Sequence, residues 1–204
     1  QTSADPQPLN ESREKKNAGV QDRKMVAAAD IQLYESDQTS HLSVVDSEGN
    51  MVALTQSINS FFGSGVVVPG TGILLNNQMN DFTPGEGGPN SIKPNKRPVS
   101  NMSPTLVLKD GRPHMTIGMP GAARIITVMP QILMNLIDHK MSIQEAIDAP
   151  RIHSISDRKI FVESRVPKKI HDALLARRYQ VIVKKDFDLY FGGAQGIVMD
   201  IKTG

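Results

Sequence analysis

The chain has 204 residues and a formal charge of +2, with 23 basic and 21 acidic side chains. This charge is too small to indicate a surface for nucleic acid or anionic membranes, and the low aromatic content (4%, no Trp) disfavours a base-stacking platform. No apolar run approaches the roughly 18 residues of a membrane-spanning helix. The absence of Cys excludes disulfides, thiolate zinc sites and thiol nucleophiles, and the five His show no ligand spacing, so no metal site is expected.

The first part of the chain, residues 1–38, differs from the rest. It holds five basic and seven acidic side chains and few large apolar ones. Such a segment cannot bury enough apolar surface to offset the entropy lost on ordering. We therefore predict a flexible tail, linker or processed region over 1–38, followed by one folded domain over 39–204.

Two β-hairpins are expected first in the folded part. Runs rich in β-formers at His41–Ser47 and Met51–Ile58 flank a Gly/Asn turn. A second pair of runs, Thr105–Lys109 and Pro113–Ile117, flanks an Asp-Gly turn. Between the hairpins, residues 76–104 are rich in Asn, Pro, Gly and Ser and show no periodicity, which is typical of functional loops.

Helices are expected after the second hairpin. Apolar residues at helical spacing begin near Ile125 and continue past Pro130, which should kink or divide the helix. Ser142 and Glu145 predict the capping box of a short helix, and a third helix is expected over Val166–Arg178. Two late strands are expected at Val181–Lys184 and Gly196–Ile201. Because strands come early and late, with the helices grouped between them, the order favours α+β layers over a doubly wound parallel sheet.

The tetrapeptide Gln38-Thr39-Ser40-His41 is by itself typical of the entrance to a strand. Its significance depends on the blocks that accompany it. These are, in order, YESDQTSHLSVVDSEGNMVALTQSIN, FGSG, GILLNNQMNDF, PNKRPVSNMSPT, GMPGAARI, APRIH and GGAQGIVMD. From about Tyr34 to its end, the chain resembles the small subunit of γ-glutamyltranspeptidases. The resemblance implies the small-subunit half of the four-layer αββα sandwich of N-terminal-nucleophile hydrolases.

The resemblance implies that Thr39 is both the self-processing residue and the enzymatic nucleophile. A Thr hydroxyl is a poor nucleophile unless a base removes its proton, and the α-amino group of an N-terminal Thr, with a pKa of about 8, can be that base. This group is free only after the Gln38–Thr39 bond has been cut. Residues 1–38 would then be the C-terminal tail of the large subunit, and 39–204 the small subunit, truncated at its C-terminus.

Three further positions carry over to the catalytic machinery. Ser57 matches a family Thr whose hydroxyl orients the nucleophile. Gly121 and Ala122 match a Gly-Gly pair whose backbone N–H groups form the oxyanion hole. Ala122 keeps its N–H, so this role holds if the backbone there avoids positive φ. A left-handed conformation would strain the alanine or misplace the donor.

Five positions match residues that hold the glutamyl end of the substrate. Asn59, Gln78 and Asp81 are three of them, and the negative charge of Asp81 suits the α-ammonium group. Ser100 matches the first of two Ser that bind the α-carboxylate, and Asn101 stands at the second, where its amide can still donate. Without the resemblance, the Asn-rich run and Ser100 would be interpreted as local turn-forming side chains.

The expected reaction is acyl transfer without a metal or organic cofactor. The γ-glutamyl group of glutathione or a related compound would pass through a γ-glutamyl-Thr39 ester to water, an amino acid or a peptide. Only a short segment separates Phe82 from Pro94, where some family members have a longer lid, so an open site is expected. Two alternatives are a poly-γ-glutamate depolymerase or transferase, and a catalytically weak homologue that acts as a binding protein. Ala122 and Asn101 are the support for the weak homologue.

The expected partner is the large subunit from the same precursor. In the resulting heterodimer, the large subunit would cover the sheet edges and apolar faces of this chain. Its ligands would be γ-glutamyl small molecules or peptides, with no nucleic acid and no membrane span in this chain. The resemblance implies a secreted, periplasmic or cell-surface protein whose signal peptide would lie in the large subunit.

Overall fold

The computed structural model describes residues 38–155 and 158–200. The tail predicted over 1–38 lies outside the described residues except for Gln38, and so does Ile201 of the last expected strand. The described residues form eight strands and three α-helices. In chain order they are β1 (Thr39–Val45), β2 (Met51–Ser57), β3 (Thr105–Lys109), β4 (Arg112–Gly118), α1 (Ile125–Ile137), α2 (Ile143–Asp148), β5 (Ile152–His153), β6 (Lys159–Glu163), α3 (Lys168–Ala176), β7 (Gln180–Lys184) and β8 (Gln195–Val198).

The strands form three sheets. β1 and β2 are an antiparallel hairpin, and β3, β4 and β8 form an antiparallel sheet in that order. In the third sheet β5 pairs antiparallel to β6, whereas β6 and β7 are parallel and are joined through α3. The hairpin β1–β2 lies against β4 and β8. Three hydrogen bonds join these layers. Thr116 Oγ1 lies within bonding distance of the Val52 carbonyl (3.0 Å) and of Ser43 Oγ (3.4 Å), and Ser43 Oγ donates to the Gln195 carbonyl (3.3 Å).

The hydrophobic core lies on the opposite face of β4 from the hairpin. Because side chains alternate along a strand, Thr116 faces the hairpin while Met115 and Ile117 point the other way. There they meet the buried stripe of α1 and the small side chain of Ala146 on α2. The buried core residues are Met115, Ile117, Met119, Ile125, Val128, Met129, Ile132, Ala146 and Phe191. The described residues thus form a hairpin, a sheet and a helical layer, which agrees with an α+β fold.

Local sequence signals predict most of these elements correctly. Both hairpins form as expected. The capping box of α2 is present, since Glu145 N donates to Ser142 Oγ and Ser142 N donates to Glu145 Oε2. The expected division of the helix at Pro130 is wrong, because α1 continues through this residue. Pro130 removes one backbone donor, whereas the helix buries a continuous apolar stripe that includes Val128 and Ile132.

The expectation that strands flank one group of helices is wrong at one point. β5 and β6 lie between α2 and α3. The apolar side chains of β6, Ile160 and Val162, are buried. This strand has only five residues, which is too short a run to show a periodicity. The parallel pairing of β6 with β7, joined through α3, makes a β-α-β unit. No described helix is both long and apolar enough to cross a bilayer.

Candidate active site

The predicted nucleophile Thr39 begins β1 and lies directly across the hairpin from Ser57. Its Oγ1 donates to Ser57 Oγ at 3.2 Å. Ser57 Oγ also accepts from the backbone N–H of Asn59 at 2.9 Å, so two donors fix its position. Both side chains are part-buried at the end of the hairpin. With Gln38 still attached, the Thr39 nitrogen is an amide and cannot act as a base.

A column of polar side chains continues behind Thr39 on the same face of the hairpin. His41 Nδ1 is hydrogen-bonded to Thr55 Oγ1 (2.7 Å) and its Nε2 to Ser43 Oγ (3.1 Å). Burial lowers the pKa of His41. Its ring lies so close to Gly118 at the end of β4 that a Cβ there would overlap the ring. His41 therefore holds β1 against β4. Because side chains alternate along a strand, the sequence alone places His41 on the same face of β1 as Thr39.

Asn59, Gln78 and Asp81, which the resemblance assigns to the glutamyl end of the substrate, lie together in the structure. Asn59 Nδ2 donates to Asp81 Oδ1 (3.1 Å), and Gln78 Nε2 donates to Asp81 Oδ2 (3.0 Å). Gln78 and Asp81 are the first and last residues of a 3-10 helix. Asn59 has φ 70°, a left-handed conformation that Asn tolerates better than most residues. Each amide keeps a carbonyl oxygen as an acceptor, so the cluster offers a carboxylate and two neutral acceptors to a cation.

A second pair of hydrogen bonds holds the loop after β2 to the start of the 3-10 helix that contains Asp81. Ser60 N donates to Asn77 Oδ1 (2.9 Å), and Asn77 Nδ2 donates to Ser60 Oγ (2.8 Å). These residues are next to Asn59 and Gln78 in the chain. The loop after β2 and the start of the 3-10 helix are therefore locked together over 17 residues of sequence.

Ser100 and Asn101 lie in the extended segment before β3. Ser100 Oγ accepts from Met102 N (3.2 Å), and the Asn101 carbonyl accepts from Ser103 Oγ (3.3 Å). In the hydrogen bonds described over 38–155 and 158–200, neither side chain contacts Asp81. One residue connects the two regions, since Asn90 bonds both the Asp81 carbonyl and the backbone N–H of Val99.

Gly121 and Ala122 follow β4 as it leaves the sheet beyond Gly118. β1 runs alongside β4, because the Ser43 and Thr116 hydroxyls are hydrogen-bonded and the His41 ring lies against Gly118. Thr39, at the start of β1, therefore lies towards this end of β4. Gly121 has φ 143°, and Ala122, the first residue of a 3-10 helix, has φ 48°. The condition that the backbone at Ala122 avoids positive φ is therefore not met. An L-residue there bears a strain of about 1–2 kcal/mol, which glycine at that position would not have.

A buried ion cluster lies behind this turn. Glu163 is fully buried and forms ion pairs with Arg151 and Arg165. It also accepts from the backbone N–H of Phe187 at 2.8 Å. Arg151 Nη1 in turn donates to the Gly192 carbonyl at 2.9 Å.

Gly192 transmits this packing to the turn. With φ 70°, it lies so close to the Pro120 carbonyl that a Cβ would overlap it. Gly192 thus requires the absence of a side chain on two grounds, its backbone conformation and the approach of Pro120. The ion cluster and Gly192 support the backbone just before Gly121.

An aromatic and cationic cluster lies next to the turn of Gly121 and Ala122 and was not predicted. His153 Nδ1 is hydrogen-bonded to Thr127 Oγ1 (2.6 Å), and the Arg124 guanidinium lies 4.7 Å from the Tyr190 ring centroid. Burial and the nearby positive charge of Arg124 lower the pKa of His153 to about 4. Burial raises the pKa of Tyr190 to about 12. Both groups are therefore neutral at physiological pH. Among the described residues, no three His, Asp or Glu side chains are grouped to hold a metal ion.

Comparisons with known proteins agree with this geometry. A sequence profile of the γ-glutamyltranspeptidase family matches residues 4–203. The chain is 49% identical over 130 residues to the glutathione hydrolase proenzyme of Escherichia coli, covering 59% of this chain and 22% of that protein. It is 43% identical over 148 residues to the acylase ACY 1 proenzyme of a Pseudomonas species, covering 72% of this chain and 26% of the relative.

A solved structure gives the same result at the level of the fold. The T380A mutant of Helicobacter pylori γ-glutamyltranspeptidase superimposes with a TM-score of 0.72 at 38% identity, covering 80% of this chain and 92% of that one. The chain spans about a quarter of the length of the curated proenzymes described above. The expected half of the N-terminal-nucleophile sandwich is confirmed. The chain belongs to the γ-glutamyltranspeptidase family.

Proposed function

We propose that the protein is a γ-glutamyltransferase and hydrolase with Thr39 as its nucleophile. The observation that carries this proposal is one path of hydrogen bonds from a hydroxyl to a carboxylate. Thr39 Oγ1 donates to Ser57 Oγ, which also accepts from the backbone N–H of Asn59. The side-chain amide of the same Asn59 then donates to the Asp81 carboxylate. A reactive hydroxyl and an anion for the α-ammonium group are thus built into one rigid unit, as a donor with an amide at one end and an amino acid at the other requires.

The first proposed step is self-cleavage at Gln38–Thr39. Thr39 Oγ attacks the Gln38 carbonyl carbon, the C–N bond breaks, and the Gln38 acyl group moves from nitrogen to oxygen while the hydroxyl proton passes to the leaving nitrogen. Water then hydrolyses the ester, leaving a carboxylate on Gln38 and a free α-amine on Thr39. The hydrogen bond from Thr39 to Ser57 supports this step, because it fixes the rotation of the attacking hydroxyl.

The second proposed step is transfer. The α-amine of Thr39 takes the proton from Oγ, which attacks the γ-carbonyl of the donor. The leaving amine takes up a proton, and a γ-glutamyl-Thr39 ester remains. Water or the amine of an amino acid or peptide then attacks the ester and restores the Thr39 hydroxyl. The backbone N–H of Gly121 is the proposed oxyanion donor in both attacks, and Ala122 adds its own N–H only from the strained backbone that its φ of 48° imposes.

Recognition of the donor falls to two groups of residues. Asp81, with the carbonyl oxygens of Asn59 and Gln78, binds the α-ammonium group. Ser100 and Asn101 supply hydroxyl and amide donors for the α-carboxylate. The Asn90 bridge supports this division, since it places the two groups on neighbouring backbone segments.

The partner in this proposal is the rest of the precursor. The outer face of the hairpin β1–β2 carries four apolar side chains, each between 40% and 51% exposed: Leu42, Val44, Val52 and Leu54. They form two facing pairs, Leu42 with Leu54 and Val44 with Val52. A contiguous apolar face of this kind is typical of a surface that another element covers. We infer that the large subunit covers it, and that the assembled enzyme acts outside the cytoplasm.

Glutathione is the donor that we propose first, because a compact α-amino-acid site suits a terminal γ-glutamyl group. A poly-γ-glutamate substrate also ends in such a group, so chain shortening is the alternative activity. The test is turnover of a chromogenic γ-glutamyl anilide by the full-length precursor, with Thr39→Ala as the control. We expect release of the chromophore by the wild type only. Correctly cleaved protein without turnover would favour the binding-protein alternative, and faster shortening of poly-γ-glutamate than of glutathione would favour the depolymerase.

A further inference from the structure

Asn90 joins the two halves of the candidate substrate site through one side chain. Its Nδ2 donates to the Asp81 carbonyl at 2.6 Å, and its Oδ1 accepts from the Val99 N–H at 3.1 Å. Asp81 carries the carboxylate of the first half, and Val99 directly precedes Ser100 of the second half. The Asn90 amide is therefore a brace between the proposed ammonium site and the proposed carboxylate site.

The loop that carries Asn90 is itself held in place. Thr83 N donates to the Asn90 carbonyl at 2.9 Å, and Asn90 Nδ2 also lies 3.3 Å from Thr83 Oγ1. Next to Asn90, the buried Ser91 Oγ accepts from the backbone N–H of Gly88 at 2.8 Å. These contacts fix the Asn90 backbone, so its side chain bonds both neighbours from a defined position.

The chemistry of the brace requires an amide. One face of the contact needs a donor for a carbonyl oxygen, and the other needs an acceptor for an N–H. Asn supplies both from one planar group. An Asp at this position has no donor and would place a negative charge against the Asp81 carbonyl. A Leu has nearly the same size but offers neither partner.

We propose that Asn90 is a positioning residue that sets the separation between Asp81 and Ser100–Asn101 and thereby selects donors that carry both an α-ammonium and an α-carboxylate group. This rests on the proposed function, in which those residues bind those groups. The two charged groups of an amino acid are attached to one carbon, so their spacing is fixed. The donor binds with the affinity of both contacts only if the ammonium site and the carboxylate site have the same spacing as its two charged groups.

The experiment compares three anilides in the full-length, self-cleaved protein. They are the γ-glutamyl anilide, the 4-aminobutyryl anilide, which lacks the α-carboxylate, and the glutaryl anilide, which lacks the α-ammonium group. The variants are Asn90→Leu, which removes both hydrogen bonds, and Asn90→Asp, which keeps the acceptor and replaces the donor by a negatively charged oxygen. Asn135→Leu on α1 makes the same chemical change outside the site. Rates are normalised to the amount of new Thr39 N-terminus.

We expect the KM of the γ-glutamyl anilide to rise about tenfold in Asn90→Leu, while kcat stays within about twofold. The preference for the γ-glutamyl anilide over either truncated donor should fall by a similar factor, because a truncated donor contacts one half of the site and gains nothing from their spacing. Asn90→Asp should show the same change, because it loses the donor and places a negative charge against the Asp81 carbonyl, and Asn135→Leu should behave as the wild type.

An unchanged preference in Asn90→Leu would overturn the inference, as would a fall in kcat at constant KM. Failure of both Asn90 variants to cleave at Gln38–Thr39, while Asn135→Leu cleaves, would also overturn it, because a residue that positions only the donor is not needed for cleavage. Absence of γ-glutamyl anilide turnover in the cleaved wild type would instead remove the proposed function, so the two failures are distinguishable.

Discussion

Thr39 and Ser57 face each other across the hairpin, and their hydroxyl oxygens lie 3.2 Å apart. This pair combines two residues singled out from the sequence, a register set by the hairpin and the hydroxyl proposed to react. β1 presents Thr39 at its first residue, and β2 ends at Ser57. The antiparallel register therefore places a hydrogen-bonding partner beside Thr39, the proposed nucleophile, without any contribution from a loop.

Replacing Ser57 by alanine should slow both proposed reactions of Thr39. The change removes the acceptor for Thr39 Oγ1 and leaves the Asn59 N–H without its partner. Loss of one such hydrogen bond, at about 1–3 kcal/mol, predicts a decrease in kcat of about 10- to 100-fold and slower self-cleavage. Steady-state assay of the γ-glutamyl anilide measures it. Ser57→Thr keeps the hydroxyl and should retain activity; equal loss in both variants would contradict the role.

Replacing Ala122 by glycine should stabilise the protein. Ala122 has φ 48°, and relief of the left-handed strain outweighs the extra entropy of glycine in the unfolded chain. The expected net gain is about 0.5–1 kcal/mol, measured from the urea unfolding midpoint. Ala123→Gly is the matched control in the same 3-10 helix. Since Ala123 has no positive φ, it should lose stability, and a loss in both variants would show that Ala122 is not strained.

Replacing Asp81 by asparagine should weaken binding of the donor more than the chemistry. The substitution keeps the size of the side chain and removes the negative charge proposed to face the α-ammonium group. A charge-assisted hydrogen bond lost in a part-buried site predicts a rise in KM of about 10- to 100-fold. The glutaryl anilide, which has no α-ammonium group, should show no such rise. A similar rise for both anilides would mean that Asp81 acts by holding Asn59 and Gln78 rather than by its charge.

The stability of the fold should fall as the pH decreases from about 6.5 to about 4. The pKa of His153 is about 4 in the folded protein and 6.5 in its ordinary state, so the unfolded chain binds more protons in this window. The contribution is on the order of 2–3 kcal/mol, fully present above the upper limit and lost towards the lower one. Unfolding midpoints at pH 4.5 and 7 should differ less in His153→Gln than in the wild type. His139→Gln, at an exposed site, should keep the wild-type difference.

Removing the charge of Glu163 should destabilise the protein strongly. Glu163→Gln leaves Arg151 and Arg165 without their buried partner. Breaking one side of a buried ion pair costs about 3–5 kcal/mol, which thermal unfolding of the full-length protein would show as a large fall in Tm. Asp172→Asn breaks the exposed pair with Lys168 and should cost about 0–1 kcal/mol. Comparable effects of the two substitutions would contradict the account of the cluster.

The elements that the sequence predicts well are those specified by neighbours in the chain. The hairpins follow from alternation around a turn, and the start of α2 follows from Ser142 and Glu145 alone. β5 and β6 were missed because Ile160 and Val162 are buried by partners far along the chain. For the same reason, Glu163 carries no local sign that it will be fully buried between Arg151 and Arg165.

The candidate site divides in a similar way. Resemblance to the family gives the identity of Thr39, Ser57 and Asp81, and the structure brings them onto one path of hydrogen bonds. The resemblance could not give the φ of Ala122, which depends on how the chain leaves β4. Nor could it give the role of Asn90, since the two groups that this side chain bonds lie nine residues away on either side. The alternation of side chains along β1 was enough to predict that His41 lies on the same face of the strand as Thr39.

The most direct test of the central claim is intact-mass and N-terminal analysis of the purified full-length protein beside Thr39→Ala. The account predicts a new chain that begins Thr39-Ser40-His41 in the wild type and an uncut Gln38–Thr39 bond in the variant. An uncut bond in folded wild-type protein would contradict it, because the α-amine that activates Thr39 would never form.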